Sequence, residues 1–94
     1  MKKKVKLTEE ERIILKNVDK EYKYIVRDKS NDIYVFSHIP AKLEDIWEPI
    51  SYGDYYNNFS RLTVFNHLFQ FIKWEDEEPY LISDLLKEKK EIKE

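Results

Sequence analysis

The sequence predicts a small, single-domain α+β protein in which an antiparallel sheet of three to four strands packs with two to three short helices. Three observations support this prediction: a helix-capping motif near the start, two alternating aromatic segments around a polar turn, and an apolar helical stripe near the end. The chain has 94 residues, of which 41% are hydrophobic and 15% aromatic, a composition that can supply one hydrophobic core. We expect residues 8–86 to form the folded core, with a basic tail over 1–6 and a charged tail over 87–94.

The first helix is predicted over residues 8–20. Thr8 and Glu11 have the spacing of a capping box, in which the Thr8 hydroxyl accepts a hydrogen bond from the Glu11 amide while the Glu11 carboxylate reaches back. The apolar side chains that follow lie on one side of the predicted helix: Ile14, Leu15 and Val18.

Residues 22–38 predict a β-hairpin, because aromatic and β-branched residues stand on both sides of the polar turn DKSND. With Ser30-Asn31 as a two-residue loop, Ile25 is expected to oppose Phe36 and Val26 to oppose Val35. In that register one face holds Tyr24, Val26, Ile33 and Val35. The other face holds Lys23, Ile25, Arg27, Tyr34, Phe36 and His38. A shift of the register by one residue would exchange these faces.

The middle of the chain predicts a third strand, a long loop, a helix and a further strand. The third strand is expected over 44–51, at an edge or a strand end because of Pro49. The polar and aromatic segment 51–60 predicts a loop. A short helix over 61–69 and a strand over 70–74 are expected to follow.

The segment 64–86 is expected to pack centrally. Phe69 and Trp74 are predicted to be largely buried and important for the core. Pro79 is predicted to take the first position of the last helix, where its missing N–H has no consequence. The apolar stripe of that helix consists of Ile82, Leu85 and Leu86.

The formal net charge of −2 conceals an uneven distribution along the chain. Residues 1–41 carry an excess of Lys and Arg, whereas residues 42–86 hold three basic residues against nine acidic ones. We define the acidic surface as Glu44, Asp45, Glu48, Asp54, Glu75, Asp76, Glu77 and Glu78. The run Glu75–Glu78 has two interpretations that the residues leave open: a solvated turn whose acids favour the following helix, or a contact surface for a basic partner.

A second candidate surface is the Tyr-rich loop, which contains Tyr52, Tyr55, Tyr56 and Phe59. Tyrosine offers a large contact area for a small loss of side-chain entropy, so tyrosine clusters are frequent at protein interfaces. The alternative is that two of the four side chains simply cover the core.

These patterns predict a non-enzymatic protein-binding module whose partner is a protein with a basic surface. The predicted partner-binding residues are Glu75, Asp76, Glu77, Glu78, Glu44, Asp45, Glu48, Asp54, Tyr52, Tyr55 and Tyr56. The alternative is a small nucleic-acid-binding protein that uses the hairpin face with Lys23, Arg27, Tyr34, Phe36 and His38, because aromatic rings stack on bases and cations contact phosphates. The slightly negative overall charge argues against that alternative.

Catalysis, metal binding and cofactor binding have little support in the residues. The chain has no Cys, and its two His residues lack the spacing of zinc ligands. A single glycine excludes a Gly-rich phosphate loop, and Ser37 and His38 are expected on opposite sides of a strand. We therefore expect no metal and no cofactor, with a small hydrolase as the remaining enzymatic alternative. No apolar run approaches the roughly 20 residues that cross a bilayer, so we expect no membrane association.

The segment FNHLFQFIKWEDEEP, together with LTEEERIILKNVDKEYKYIVRD upstream, resembles the short, uncharacterised accessory proteins of phages and prophages of Gram-positive bacteria. The resemblance extends from about Leu7 to Leu86, except for the central EPISYGDYYNNF. It implies a phage protein that acts in the cytoplasm of the bacterial host, where it binds a host, defence or phage protein and modulates or inhibits it. The resemblance implies no functional residue and no oligomeric state.

Overall fold

A computed structural model describes residues 5–51, 53 and 56–87, and these residues form the predicted α+β fold. In chain order its elements are α1 (Glu9–Asn17), β1 (Tyr24–Arg27), β2 (Ile33–Phe36), β3 (Ala41–Lys42), β4 (Trp47–Glu48), β5 (Phe59–Arg61), a 3₁₀ turn (Thr63–Phe65), β6 (Tyr80–Leu81) and α2 (Ile82–Lys87). The main sheet is antiparallel with strand order β5-β2-β1-β6, so β5 and β6 are its edges. Strands β3 and β4 pair in a separate two-stranded sheet.

The first helix begins with the predicted capping box and ends earlier than residue 20. The Thr8 hydroxyl accepts a hydrogen bond from the Glu11 amide at 3.1 Å, and Glu11 Oε1 accepts one from the Thr8 amide at 3.0 Å. The second carboxylate oxygen of Glu11 accepts a hydrogen bond from the Phe69 amide at 2.7 Å. One side chain therefore caps α1 and also ties it to a distant segment of the chain.

The β1–β2 hairpin is present, but its predicted register is wrong by one residue. Ile25 opposes Val35, and Val26 opposes Tyr34. The slip regroups the side chains on the two faces. Tyr24, Val26, Tyr34 and Phe36 share one face, and Ile25, Arg27, Ile33 and Val35 share the other.

The register differs because the hairpin loop is longer than two residues. The Asn31 amide donates to the Asp28 carbonyl, and the Asp28 amide donates to the Asp32 carbonyl, both at 2.9 Å. Asn31 closes the loop with a φ of 83°. A three-residue loop that ends in a left-handed residue is a common hairpin connection, and Asn adopts this conformation more readily than most residues.

Each face of the main sheet has its own hydrophobic cluster. The first cluster lies between the sheet and the two helices and contains Val5, Leu7, Leu15, Ile25, Ile33, Val35, Phe69, Ile72, Ile82 and Leu85. The second, on the opposite face, contains Val26, Phe36 and Trp47, with Tyr24, Tyr34 and Trp74 packed against it. Because Val5 belongs to the first cluster, the folded core begins before residue 8, inside the predicted tail over 1–6. Residues 1–4 of that tail and residues 88–94 lie outside the described residues.

The predicted helix over 61–69 and the predicted strand over 70–74 are wrong. Residues 59–61 form strand β5 instead, only the turn at 63–65 is helical, and residues 70–74 have no regular secondary structure. The start of this segment pairs with β2 instead, and beyond the 3₁₀ turn the Arg27 side chain reaches from β1 and binds backbone carbonyls that a regular strand would use for pairing. Phe69 adopts a φ of 55° there, with its side chain completely buried.

The last helix, α2, has the predicted apolar stripe but does not begin at the predicted residue. Pro79 precedes strand β6, and α2 begins only at Ile82. Ile82 and Leu85 are buried, and Leu86 packs partly against the first cluster. Phe69 is buried as predicted, whereas Trp74 is only half-buried.

The predicted third strand is shorter than 44–51 and lies outside the main sheet. Its strand portion is Trp47–Glu48, which pairs with Ala41–Lys42. Within the part of the chain that the structure describes, no helix has the length and apolar character needed to cross a membrane.

Candidate functional site

Lys42 joins the two acidic segments of the chain, which are the β3–β4 hairpin with Glu44, Asp45 and Glu48 and the run Glu75–Glu78. Its ammonium group donates hydrogen bonds to the carbonyl oxygens of Trp74 and, at 2.8 Å, of Asp76. The ammonium nitrogen also lies 4.3 Å from the centre of the Trp74 ring and 5.7 Å from the centre of the Trp47 ring, so cation–π attraction adds to these bonds. The β3–β4 hairpin is therefore held against the segment that contains the run Glu75–Glu78.

The β3–β4 hairpin is fixed to the main sheet through Trp47. Its side chain is buried in the second cluster, and its amide donates to Asp28 Oδ1 at 3.0 Å. Burial raises the pKa of the Asp28 carboxyl above its ordinary value, although the hydrogen bond from Trp47 acts in the opposite direction. At the hairpin turn, the Lys29 amide donates to the Asp45 carbonyl at 3.3 Å. The side chains of Glu44, Asp45 and Glu48 are thus displayed from an anchored element.

The acidic run is a turn that Asp76 closes. Asp76 Oδ2 accepts a hydrogen bond from the Lys73 amide at 2.9 Å, and the Asp76 amide donates to the Lys73 carbonyl at 3.1 Å. The other three members are exposed, and within the described ranges their side chains make no hydrogen bond: Glu75, Glu77 and Glu78. Asp76 therefore has a local structural role, while its three neighbours are open to solvent.

Most of the described carboxylates of the acidic surface form no ion pair with another described residue. Among the described residues the ion pairs are Lys29–Asp45 at 3.7 Å and Lys87–Asp84 at 3.9 Å. Both side chains of the Lys29–Asp45 pair are exposed to solvent, so the pair contributes little to the stability of the fold. The negative charge of the remaining carboxylates is therefore available to a partner. Asp54, also predicted to belong to this surface, lies outside the described residues.

The Tyr-rich loop is described only in part. Tyr52 and Tyr55 lie outside the described residues, whereas Tyr56 is 76% exposed. Phe59 belongs to strand β5, and its ring centre lies 5.7 Å from that of Phe36. The buried residue Asn57 fixes the end of the loop, because its side chain accepts from the His38 amide at 2.9 Å and donates to the Ile39 carbonyl at 3.3 Å.

The basic and aromatic hairpin face proposed for nucleic acid is not assembled. Arg27 lies on the opposite face of the sheet from Tyr34 and Phe36 and is only 5% exposed. Its guanidinium donates to the backbone carbonyls of Asn31, Asn66, Leu68, Phe69 and Ile72 at 2.7–3.1 Å. Burial lowers the pKa of the Arg27 guanidinium below its ordinary value. Arg27 therefore organises the protein interior and does not face a ligand.

Ser37 and His38 are in contact, contrary to the expectation from a continuing strand. Strand β2 ends at Phe36, and the Ser37 hydroxyl lies 3.2 Å from His38 Nδ1. The same hydroxyl accepts a hydrogen bond from the Asn58 amide at 2.9 Å. The Ser37 side chain is buried and connects β2 with the end of the Tyr-rich loop. No group of three or more potential metal ligands is found in the described part of the chain.

Sequence reasoning missed the two cations that organise this molecule. Lys42 is one of only three basic residues in 42–86, and this isolation among acids is the signal that could have suggested a bridging role. The predicted register places Arg27 on the same face as Tyr34 and Phe36, whereas the observed register, which differs by one residue, places it on the opposite face. The acidic residues themselves were identified from composition alone.

Comparison with known proteins gives no match: no family model fits the chain, and no curated protein or solved structure is significantly similar to it. The function is therefore inferred from the residues of this chain.

Proposed function

We propose that this chain is a non-enzymatic protein-binding module that engages a protein with a basic surface through its acidic surface. The proposal depends mainly on the contact at Lys42, which holds two acidic segments together while most of their carboxylates stay exposed. In the phage setting that the sequence resemblance implies, the partner is a host, defence or phage protein in the host cytoplasm, and binding modulates or inhibits it.

Stabilisation of the following helix does not account for most of the acids in the run Glu75–Glu78. A carboxylate favours a helix dipole only within the first turn, and α2 begins at Ile82, after strand β6. Glu75, Glu77 and Glu78 are therefore too far from α2 in sequence to belong to its first turn. Only Asp76 has a local role, through its bond to the Lys73 amide.

A fixed array of like charges suits recognition of a basic surface. Trp47 and Lys42 hold the hairpin in place, so binding would not have to order its backbone. Charges on the two segments act together on an approaching partner within the screening length of about 8 Å at physiological ionic strength. Such complementarity mainly accelerates association and selects among partners.

The test compares two variants with the same change in charge. Glu75→Gln with Glu77→Gln removes two charges from the acidic surface. Glu9→Gln with Glu10→Gln removes two exposed charges from α1, which packs on the other face of the sheet. Each protein is used to capture partners from a Gram-positive bacterial lysate, with and without nuclease, and association rates with the captured protein are measured against ionic strength.

We expect the acidic-surface variant to associate about tenfold more slowly at low salt and to show a flatter salt dependence. The α1 variant should match the unmodified protein, apart from a small change in helix stability. Equal rates and equal salt slopes for all three proteins would overturn the proposal. Capture that disappears after nuclease treatment would support the nucleic-acid alternative instead.

A further inference from the structure

Among the described residues, strand β5 forms backbone hydrogen bonds on only one of its two sides. The Ser37 amide donates to the Asn58 carbonyl at 2.9 Å, and the Leu62 amide donates to the Ile33 carbonyl at 2.8 Å. In an antiparallel pair the hydrogen-bonded positions alternate along the strand. Asn58, Ser60 and Leu62 are therefore the positions of this segment that face β2.

Phe59 and Arg61 have the opposite orientation. They lie between the hydrogen-bonded positions, opposite Phe36 and Tyr34, so their amide and carbonyl groups point away from β2 toward the open edge of the sheet. Within the described ranges no hydrogen bond to these four groups is found. The edge therefore offers two donors and two acceptors at the spacing of a β-ladder.

The side chains at this edge are self-complementary. Phe59 and Arg61 point to the same face of the sheet because side chains alternate along a strand. Phe59 is 50% exposed, Arg61 is exposed, and Arg61 makes no ion pair among the described residues. In an antiparallel copy centred on Ser60, the Arg61 of each chain stands opposite the Phe59 of the other, a cation–π pair that occurs twice.

We propose that β5 pairs antiparallel with β5 of a second copy of this chain, so that one sheet continues through both molecules. The same register brings Tyr56 of each copy toward the strand end that carries Val64 of the other. These are the two most exposed large hydrophobic side chains of the described residues, at 76% and 73%. The contact is isologous and closes on itself, as twofold dimers do.

The opposite edge of the sheet is less suited to this pairing. Strand β6 has only two residues and continues directly into α2. The acidic run Glu75–Glu78 leads through Pro79 into β6, so pairing at β5 leaves that run open. Self-association at β5 can be tested without any partner protein.

The test uses the full chain and two substitutions of one residue. Both Arg61→Ala and Arg61→Pro remove the cation, but only Arg61→Pro also removes the outward amide. Because that amide makes no bond to β2, proline should leave the ladder within the molecule intact. Sedimentation equilibrium from about 1 μM to about 1 mM, the range expected for a weak contact, measures self-association, and circular dichroism checks that each protein is folded.

We expect the unmodified protein to dimerise, Arg61→Ala to weaken the dimer severalfold, and Arg61→Pro to weaken it by at least about tenfold more. Hydrogen exchange gives a second measurement that needs no variant. The Phe59 and Arg61 amides should exchange more slowly as the protein concentration rises, whereas the Ser60 amide, already bonded to β2, should not change. A monomer at the highest concentration would overturn the proposal. So would a dimer that Arg61→Pro leaves unchanged, with no concentration effect on the two edge amides.

Discussion

Replacing Phe69 by Ala and by Gly should abolish or reverse the usual difference in stability between these two substitutions. Within a helix or a strand, a variant with Gly is usually less stable than the variant with Ala, because Gly loses more backbone entropy on folding. Phe69 has a φ of 55°, in the left-handed region that favours Gly. Its backbone is held there from both sides, since its amide donates to Glu11 and its carbonyl accepts from Arg27.

The size of the effect follows from burial and backbone conformation. The Phe69 side chain is 0% exposed, so either substitution should lower the free energy of unfolding by about 3–5 kcal/mol. Alanine keeps a Cβ in the left-handed conformation, which costs roughly 1–2 kcal/mol more than glycine. Glycine loses about 0.5–1 kcal/mol through backbone entropy, so Phe69→Gly should be as stable as Phe69→Ala or slightly more stable.

Urea unfolding measures the free energy of unfolding of four variants: Phe69→Ala, Phe69→Gly, Leu15→Ala and Leu15→Gly. Leu15 in α1 is the control, because it is buried in a helix, where Gly is less stable than Ala by about 1 kcal/mol. A domain of this length has a stability of about 5–14 kcal/mol, and sucrose can be added equally to all samples if a variant is too unstable. The same difference between Ala and Gly at both positions would refute the role assigned to the left-handed conformation.

Two further predictions concern buried charges. Arg27→Lys should lower the free energy of unfolding by on the order of 3 kcal/mol in denaturant titrations, because an ammonium has three donors and cannot reach the carbonyls of five residues; a loss below about 1 kcal/mol would contradict it. For Asp28, burial raises the pKa above 3.8, so the folded protein keeps this proton to a higher pH than the unfolded chain does. The free energy of unfolding of Asp28→Asn, which can still accept from the Trp47 amide, should therefore rise relative to the unmodified protein as pH increases through the interval just above 3.8. A difference that does not change with pH would exclude this contribution of Asp28.

The elements that could be predicted from the sequence are those whose determinants are local. The capping box at Thr8 and Glu11 lies within four residues, and both the helix start and its hydrogen bonds are as predicted. The hairpin was predicted from its alternating composition, but its register depends on Asn31 adopting a positive φ. Asn adopts that conformation more readily than most residues, but without a glycine the residues do not decide between a two-residue and a three-residue loop.

The segment 61–74 could not be predicted because its conformation is set by residues far away in the chain. Its apolar spacing suggested a helix and a strand, but the Arg27 guanidinium and the Glu11 carboxylate bind its backbone instead. The acidic surface was predictable as composition. The assembly of this surface from two segments could not be predicted, because it depends on the contact of Lys42 with the carbonyl oxygens of Trp74 and Asp76.

The contacts of Arg27 also have a consequence for the order of folding. Four of its carbonyl acceptors lie 39 to 45 residues farther along the chain. A loop of that length must close before any of these bonds can form, whereas the β1–β2 hairpin needs only local contacts. The hairpin should therefore form early and present Arg27, and the segment around Phe69 should dock onto it late. Substitutions in that segment would then mainly accelerate unfolding and leave the folding rate nearly unchanged.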